Sequence, residues 1–156
     1  MPVWHYSYRV RDESKIAKAV IRDVDTSLKD MRELVNAVKG MKLDDAIEFV
    51  KRVIEKKEAV PFKRYHGKLA HRRGLADKWK WPIGRYPVKA AKYLLQLLES
   101  VRNNAENKGL DTERLVIEHI AAHKGITLKR WMPRAFGRST PKFDRRCSVE
   151  VVVREV

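Results

Sequence analysis

Nearly all of the excess positive charge of this chain lies in two stretches, residues 60–86 and residues 124–146. Each stretch holds eight Lys or Arg and a single Asp, so the two together carry +14 of the formal net charge of +15. The rest of the chain has 19 basic and 18 acidic residues, which is typical of a near-neutral globular protein. Because like charges at this density repel one another in water, the chain should fold as a neutral body with two basic segments that need a polyanion. Nucleic acid is the first candidate for that polyanion.

Length and composition predict one domain that spans residues 1–156. The chain is 44% hydrophobic, which is enough for a modest core once the basic stretches are set aside. Its single cysteine, Cys147, excludes an internal disulfide and falls on the expected inward face of a strand. No apolar run approaches the ~20 residues that span a membrane, and residues 1–13 lack the apolar core of a signal peptide. We therefore expect a cytoplasmic protein without a membrane partner.

Three amphipathic helices are predicted from apolar residues at helical spacing. The first begins at Ser27, whose side chain can cap the opening turn, and ends at Gly40, a residue type that favours the position after a helix. The second covers residues 44–57. The third begins at Pro87, which suits the first helical position, and continues to Gly109. These helices have apolar faces that must be buried against another layer.

The C-terminal part of the chain has the composition of β-strands. Residues 114–123 are rich in β-branched side chains, and residues 147–156 alternate apolar and polar side chains, as in a strand with one buried face. We expect these two segments to pair antiparallel. The residues between them contain no second element, and a structureless loop of that length is uncommon in a compact domain. Residues 111–156 should therefore form a long hairpin. The expected fold class is α+β, with three helices packed on a small antiparallel sheet and a long extended β-hairpin protruding from it.

The residues that could carry catalysis or bind a metal do not form a recognisable set. His119 and His123 share a face of one segment, but no acid or Cys completes a ligand set near them, so a position on the sheet or against a partner is favoured. Asp77 and Asp144 are isolated, whereas a nuclease needs paired carboxylates or a His base. The sequence also lacks a phosphate-binding loop and a dinucleotide-binding turn. We expect neither an enzyme nor a cofactor or metal site.

The aromatic side chains in the basic stretches have two possible roles. Trp79 and Trp81 flank Lys80, an alternation that lets a segment stack on bases while it neutralises phosphates, but either Trp could instead anchor the segment to the helices. Trp131 and Phe136 lie near the end of the expected hairpin, where there is no core for them to join. Contact with a partner is therefore favoured for these two side chains.

The hairpin segment resembles a known family. Residues 128–139 (LKRWMPRAFGRS), with Pro-Arg-Ala-x-Gly-Arg as their most specific motif, are similar to the hairpin of the universal large-subunit ribosomal protein numbered twenty-two. Motifs of that family's three helices occur in the same order, in residues 32–35, 45–46, 89–91 and 104–107. The resemblance covers roughly residues 25–156. Bacterial members lack a counterpart of residues 60–86, so the chain is similar to archaeal and eukaryotic members.

This resemblance implies a structural role in the large ribosomal subunit. Members of the family place their globular domain near the mouth of the peptide exit tunnel and thread the hairpin through ribosomal RNA to the tunnel wall. The implied partners are large-subunit rRNA, whose domains the protein would bridge during assembly, neighbouring large-subunit ribosomal proteins and the nascent polypeptide, without a homo-oligomer. The residues expected to bind rRNA are Lys63, Arg64, His66, Lys68, Arg72, Arg73, Lys78, Lys80, Arg85, Lys124, Lys129, Arg130, Arg138, Lys142, Arg145 and Arg146. The residues expected to line the tunnel are Met132, Pro133, Arg134, Ala135, Phe136 and Gly137.

A free-standing basic RNA-binding regulator is the alternative function. It would explain the charge but not the long unpaired hairpin. In either role, the basic stretches have no evident acidic partner and no periodicity, so nothing in the sequence offsets the entropy of ordering them. We therefore expect residues 63–80 and 129–142 to be disordered until they bind RNA.

Overall fold

The computed structural model describes residues 4–9 and 12–156, which form helices packed on a three-stranded sheet with a long hairpin. The helices are α1 (Leu28–Val38), α2 (Leu43–Ile54), α3 (Leu75–Trp79) and α4 (Val88–Asn107). The strands are β1 (Ile16–Val24), β2 (Val60–Pro61), β3 (Gly84–Arg85), β4 (Leu115–Leu128), β5 (Trp131–Pro133), β6 (Ser139–Pro141) and β7 (Asp144–Glu155). The expected α+β class is confirmed.

The helix ends follow the local sequence signals. Ser27 Oγ accepts a hydrogen bond from Asp30 N at 3.4 Å, which caps α1. Gly40 has φ +79°, a left-handed conformation that glycine adopts at least cost. Pro87 is the N-cap of α4 rather than its first residue, and α2 ends at Ile54, earlier than expected. The three long helices are thus confirmed with shifted ends. Within the described residues, no helix has the length and apolarity needed to cross a bilayer.

The central sheet has the strand order β1-β7-β4, and its pairs are antiparallel. In this register, Val151 of β7 lies opposite Ala19 of β1 and Ile120 of β4. The expected pairing of β4 with β7 is confirmed. Strand β1 was not among the expected elements, because its sequence, IAKAVIRDV, carries Lys, Arg and Asp among its apolar residues. It completes the sheet on the free edge of β7.

The helices cover one face of the sheet. On that face, Cys147, Val149, Val151 and Val153 of β7 are completely buried in one core with α1, α2 and α4. Burial raises the pKa of the Cys147 thiol to about 11, since the thiolate would lose its hydration. The expected inward position of this thiol is confirmed, and it acts as a packed apolar group.

The opposite face of β7 is also buried, which the alternating pattern did not predict. Ser148 is 3% exposed and Glu150 is fully buried, although both were expected on an open face. The N-terminal segment, residues 4–9, binds to this face. Trp4 Nε1 donates to Glu150 Oε2 at 2.8 Å, and Ser7 N donates to Glu150 Oε1 at 3.0 Å. A buried carboxylate therefore holds the N-terminal segment against the sheet.

We expect Glu150 to make the stability of the fold sensitive to acid. Burial opposes ionisation of this carboxyl, but hydrogen bonds from Ser7 and Trp4 and the nearby His123 outweigh it and lower the pKa from 4.5 to about 2. Because the folded pKa lies below the unfolded one, this stabilisation is complete above pH ~4.5 and is lost as the pH falls towards 2. Over that range the free energy of unfolding should fall by about 3 kcal/mol more in the wild type than in Glu150→Gln. Denaturant titrations at several pH values measure this, and parallel pH profiles would contradict it.

Candidate nucleic-acid interface

The first basic stretch, residues 60–86, is folded onto the body. Strand β2 pairs with β3, and helix α3 forms within the stretch. Val60, Phe62 and Leu75 are buried, so apolar side chains between the cations provide the burial that holds the segment. The structure thus differs from the expected disorder of residues 63–80, since it packs this stretch on the helices with short elements of regular structure.

A buried carboxylate from α1 organises the start of this stretch. Glu33 is 2% exposed, and its Oε1 accepts hydrogen bonds from Arg64 N at 2.7 Å and Tyr65 N at 2.8 Å. Its Oε2 accepts a third from Lys63 N at 3.2 Å. Three successive backbone N–H groups thus converge on one carboxylate, which fixes the backbone while the side chains of Lys63 and Arg64 stay exposed. Glu33 is thus an acidic partner of this stretch that lies about thirty positions earlier in the sequence.

The tryptophans of this stretch are engaged with the body. Trp81 Nε1 donates to Phe62 O at 2.7 Å, and the His66 ring lies edge-on to Trp81 with the centroids 5.4 Å apart. The Trp79 ring packs against Phe49 of α2 at 5.7 Å. Of the two roles that the sequence left open, these contacts favour anchoring the stretch to the helices.

Most of the side chains expected to bind rRNA are exposed. His66 and Arg146 are half-buried; Arg146 Nη2 also lies 2.6 Å from Asp144 Oδ2, and Lys78 Nζ forms an ion pair with Glu58. The other thirteen cations are exposed and form no ion pair with any described residue: Lys63, Arg64, Lys68, Arg72, Arg73, Lys80, Arg85, Lys124, Lys129, Arg130, Arg138, Lys142 and Arg145. They are available to bind phosphates.

The second basic stretch forms the outer part of the hairpin. Strands β4 and β7 stay paired as far as Leu128 and Asp144, and β5 pairs with β6 beyond them. The break between the two ladders is bridged by Lys142 N, which donates to Arg130 O at 2.7 Å. The arms are therefore strands almost to the end of the hairpin.

Asp23 fixes the root of the hairpin, where it leaves the body. Its Oδ1 accepts a hydrogen bond from Ile126 N at 2.9 Å, and its backbone N donates to Ser148 Oγ at 3.1 Å. Gly125 lies against this carboxylate, since a Cβ there would clash with Asp23 Oδ1 and come within 3.1 Å of the Arg146 carbonyl. Sequence reasoning missed this contact, although a glycine inside a strand pattern is a signal of close approach.

The tip is the turn between β5 and β6. It consists of residues 134–138, whose ends are joined by a backbone hydrogen bond of 2.8 Å. Phe136 at its centre is 99% exposed and has φ +56°, a conformation that is unfavourable for a residue with a Cβ. Of the six residues expected to line the tunnel, Met132 and Pro133 belong to β5, and the other four lie in the turn. The turn is thus centred on Phe136.

The hairpin exposes large apolar side chains as well as charge. Among the described residues, seven large hydrophobic side chains are exposed, and six of these lie on the hairpin. The six are Ile126, Leu128, Trp131, Met132, Phe136 and Phe143. Because monomeric proteins seldom leave such groups together in water, this surface indicates a partner that covers it.

Glu150 lies between the two histidines that were considered as metal ligands. Its Oε1 is 3.3 Å from His119 Nε2 and 3.2 Å from His123 Nε2, so the expectation that no acid lies near them is wrong. Their expected position on the sheet is confirmed. Across residues 4–9 and 12–156, no group of three His, Cys, Asp or Glu side chains is arranged to hold a metal ion.

Comparison with known proteins gives matches along the whole chain. The family model described as ribosomal protein L22p/L17e matches residues 19–154. The large ribosomal subunit protein uL22 of Staphylothermus marinus is 67% identical over 156 residues, 100% of this chain and 99% of that protein. The protein of the same name from Aeropyrum pernix is 62% identical over the full length of both chains, and that from Methanopyrus kandleri is 49% identical over 97% of this chain and 96% of its own.

Proposed function

The chain belongs to the ribosomal protein L22p/L17e family, and we propose that it is a structural constituent of the large ribosomal subunit that binds and bridges large-subunit rRNA. Members of this family are structural ribosomal proteins, so the expectations of a non-enzymatic protein and of a cytoplasmic location in the ribosome are confirmed by the family. The relatives are archaeal, in agreement with the resemblance to members that carry residues 60–86.

The observation that carries the proposal is the combination of charge and apolar surface on the hairpin. Residues 129–143 contain five Lys or Arg and no Asp or Glu, and the same segment exposes Trp131 and Phe136. A two-stranded ribbon of this kind is marginally stable in water on its own. Folded rRNA offers phosphates for the cations and base faces for the apolar side chains. A free-standing regulator would leave this surface in water, which makes that alternative weaker.

The proposed bridging is supported by two basic surfaces on one folded body. Residues 60–86 are held on α1 and α2 by Glu33 and Phe49, whereas the hairpin is held at its root by Asp23. Two RNA segments bound at these surfaces would be kept at a fixed separation. The cations replace the counterions that otherwise screen the repulsion between such segments. This arrangement suits a protein that holds several rRNA domains together.

We assign the tip to the wall of the nascent-peptide tunnel, as the family resemblance implies. Between residues 132 and 137 only Arg134 is charged, so this part of the hairpin is poorly suited to holding phosphates. Phe136 projects fully exposed from a turn of five residues, a shape that can reach into a narrow passage. The nascent polypeptide and neighbouring ribosomal proteins are the partners proposed beside the rRNA, with one copy of this chain in each subunit.

Deletion of residues 132–137 tests which part of the hairpin attaches the protein to the subunit and which part contacts the tunnel. The deletion joins Trp131 to Arg138, and three residues then connect Trp131 to Pro141, its partner across the ladder. Because only one cation is lost, the large subunits should contain the protein at normal stoichiometry, but the constriction of the tunnel should be wider. Quantitative mass spectrometry and electron microscopy of purified subunits measure these two results.

The matched control removes charge and keeps the tip. The triple substitution of Lys129, Arg130 and Lys142 to Ala should lower incorporation into subunits while the tunnel stays unchanged wherever the protein is present. Subunits that lack the deletion variant would show that the tip is an anchor. An unchanged constriction would show that the tip lies elsewhere.

A further inference from the structure

Two aromatic rings form an exposed pair on the hairpin. The rings of Trp131 and Phe143 meet edge-to-face, with centroids 5.8 Å apart and planes at 85°. Trp131 is 61% exposed and Phe143 is 39% exposed, so both rings keep surface that a partner can cover. Phe143 limits the orientations of the indole, and the indole keeps a free π-face for a further ring.

The pair sits at the break between the two ladders of the hairpin. Trp131 begins β5, opposite Pro141, and Phe143 directly precedes β7. The backbone at the break is closed by the hydrogen bond from Lys142 to Arg130. The rings are therefore carried by a defined backbone, which lowers the entropy cost of binding a ligand on the free face of the indole.

Three cations lie next to the pair along the chain and form no ion pair with a described residue. Lys129, Arg130 and Lys142 lie within two residues of a ring along the chain, and all three are exposed. The adjacent acid, Asp144, is bound to Arg146 at 2.6 Å. A ligand that fits here must combine a flat π-system with negative charge.

Resting on the proposed function, we infer that Trp131 and Phe143 form a stacking site for one unpaired base of rRNA, whose flanking phosphates bind Lys129, Arg130 and Lys142. An unpaired nucleotide carries a planar base and a phosphate on each side, which matches this arrangement. The base must be unpaired, because in a duplex its faces are covered by its stacked neighbours. An apolar protein surface would cover the rings but would leave the three cations desolvated and unpaired.

The experiment compares two ligands that have the same charge. Full-length protein is titrated with a single-stranded oligouridine and with an abasic oligonucleotide of the same length, which has the phosphates but no bases. The wild type should bind the oligouridine more tightly. Trp131→Ala should weaken oligouridine binding by about 5- to 100-fold and leave abasic binding and the salt dependence of both ligands unchanged.

Three further variants separate stacking from other effects. Trp131→Phe keeps a π-face and should restore much of the preference for bases. Ile126→Ala removes an exposed apolar side chain of the same hairpin and should leave the preference unchanged. Arg130→Ala should weaken the binding of both ligands equally and reduce the slope of log affinity against log salt by about 0.7.

Two outcomes of the titrations would overturn the inference. One is equal binding of the two ligands by the wild type, and the other is an unchanged preference for bases in Trp131→Ala, which would place base contact elsewhere. Either result leaves the proposed function intact as long as the protein enters large subunits. A protein that is absent from large subunits would instead refute the proposed function.

In a density map of the subunit, the inferred base lies stacked on the Trp131 indole. A protein side chain there would also overturn the inference.

Discussion

The affinity of the isolated chain for large-subunit rRNA is expected to fall steeply with salt. Thirteen exposed cations without ion-pair partners among the described residues are spread over residues 60–86 and the hairpin. Each phosphate that they neutralise releases counterions, so log affinity should fall linearly with log salt by about 0.7 to 0.9 per contact. If six to ten contacts form, affinity falls by about 10³ to 10⁵ between roughly 50 and 200 mM salt. Fluorescence titrations at several salt concentrations measure the slope.

Two substitutions in the same segment provide a matched comparison. Arg73 is exposed and forms no ion pair with the described residues, so Arg73→Ala should reduce the slope by about one phosphate contact. Lys78 is paired with Glu58, so Lys78→Ala should reduce the slope less. A total slope worth only one or two contacts would contradict the distributed phosphate binding proposed here.

Among substitutions that affect the first basic stretch, Glu33→Ala is expected to destabilise the fold most. Glu33→Ala leaves the backbone N–H groups of Lys63, Arg64 and Tyr65 without their acceptor in a buried site. Because an unsatisfied buried donor costs about 1–3 kcal/mol, and part of this loop can turn to water, we expect a loss of roughly 2–4 kcal/mol in the free energy of unfolding. Amide exchange at residues 63–65 should be slow in the free wild type and fast in the variant.

The controls for this prediction lie in the same region. Glu48 is 70% exposed and pairs with Arg52 one helical turn away at 3.0 Å, so Glu48→Ala should cost less than about 0.5 kcal/mol. Glu33→Gln keeps one oxygen acceptor, so its loss in the free energy of unfolding should lie between the losses of Glu33→Ala and Glu48→Ala. Similar stabilities for Glu33→Ala and Glu48→Ala, or fast exchange at residues 63–65 in the wild type, would show that the carboxylate does not organise the loop.

The elements that the sequence predicted correctly are those whose signals are local. The α1 helix begins at a capping Ser27 and is followed by Gly40, and both signals come from the residues of the helix end itself. Strand β4 pairs with β7 because one continuous hairpin joins them, so the pairing follows from chain order. The family resemblance likewise rests on the contiguous residues 128–139.

The errors have a common cause in contacts between distant residues. Glu33 binds residues about thirty positions later, and Glu150 binds Trp4 and Ser7, more than 140 positions earlier. Periodicity counts neighbours along the chain, so it cannot detect such partners. Residues 60–86 therefore resembled a disordered basic segment, and β7 resembled a strand with one open face.

The sequence by itself determined the separation of charge, the presence of the three long helices, the antiparallel hairpin and the family. These properties depend on composition or on residues within a few positions of one another, and local sterics and capping act over that range. Only the tertiary structure decided which cations stay unpaired, that Glu33 orders the first basic stretch, that Gly125 packs against Asp23 at the hairpin root, and that Trp131 meets Phe143. Each of these depends on two segments meeting in space. The free energy of such a contact comes from burial and from hydrogen bonds that form only when folding brings the two segments together.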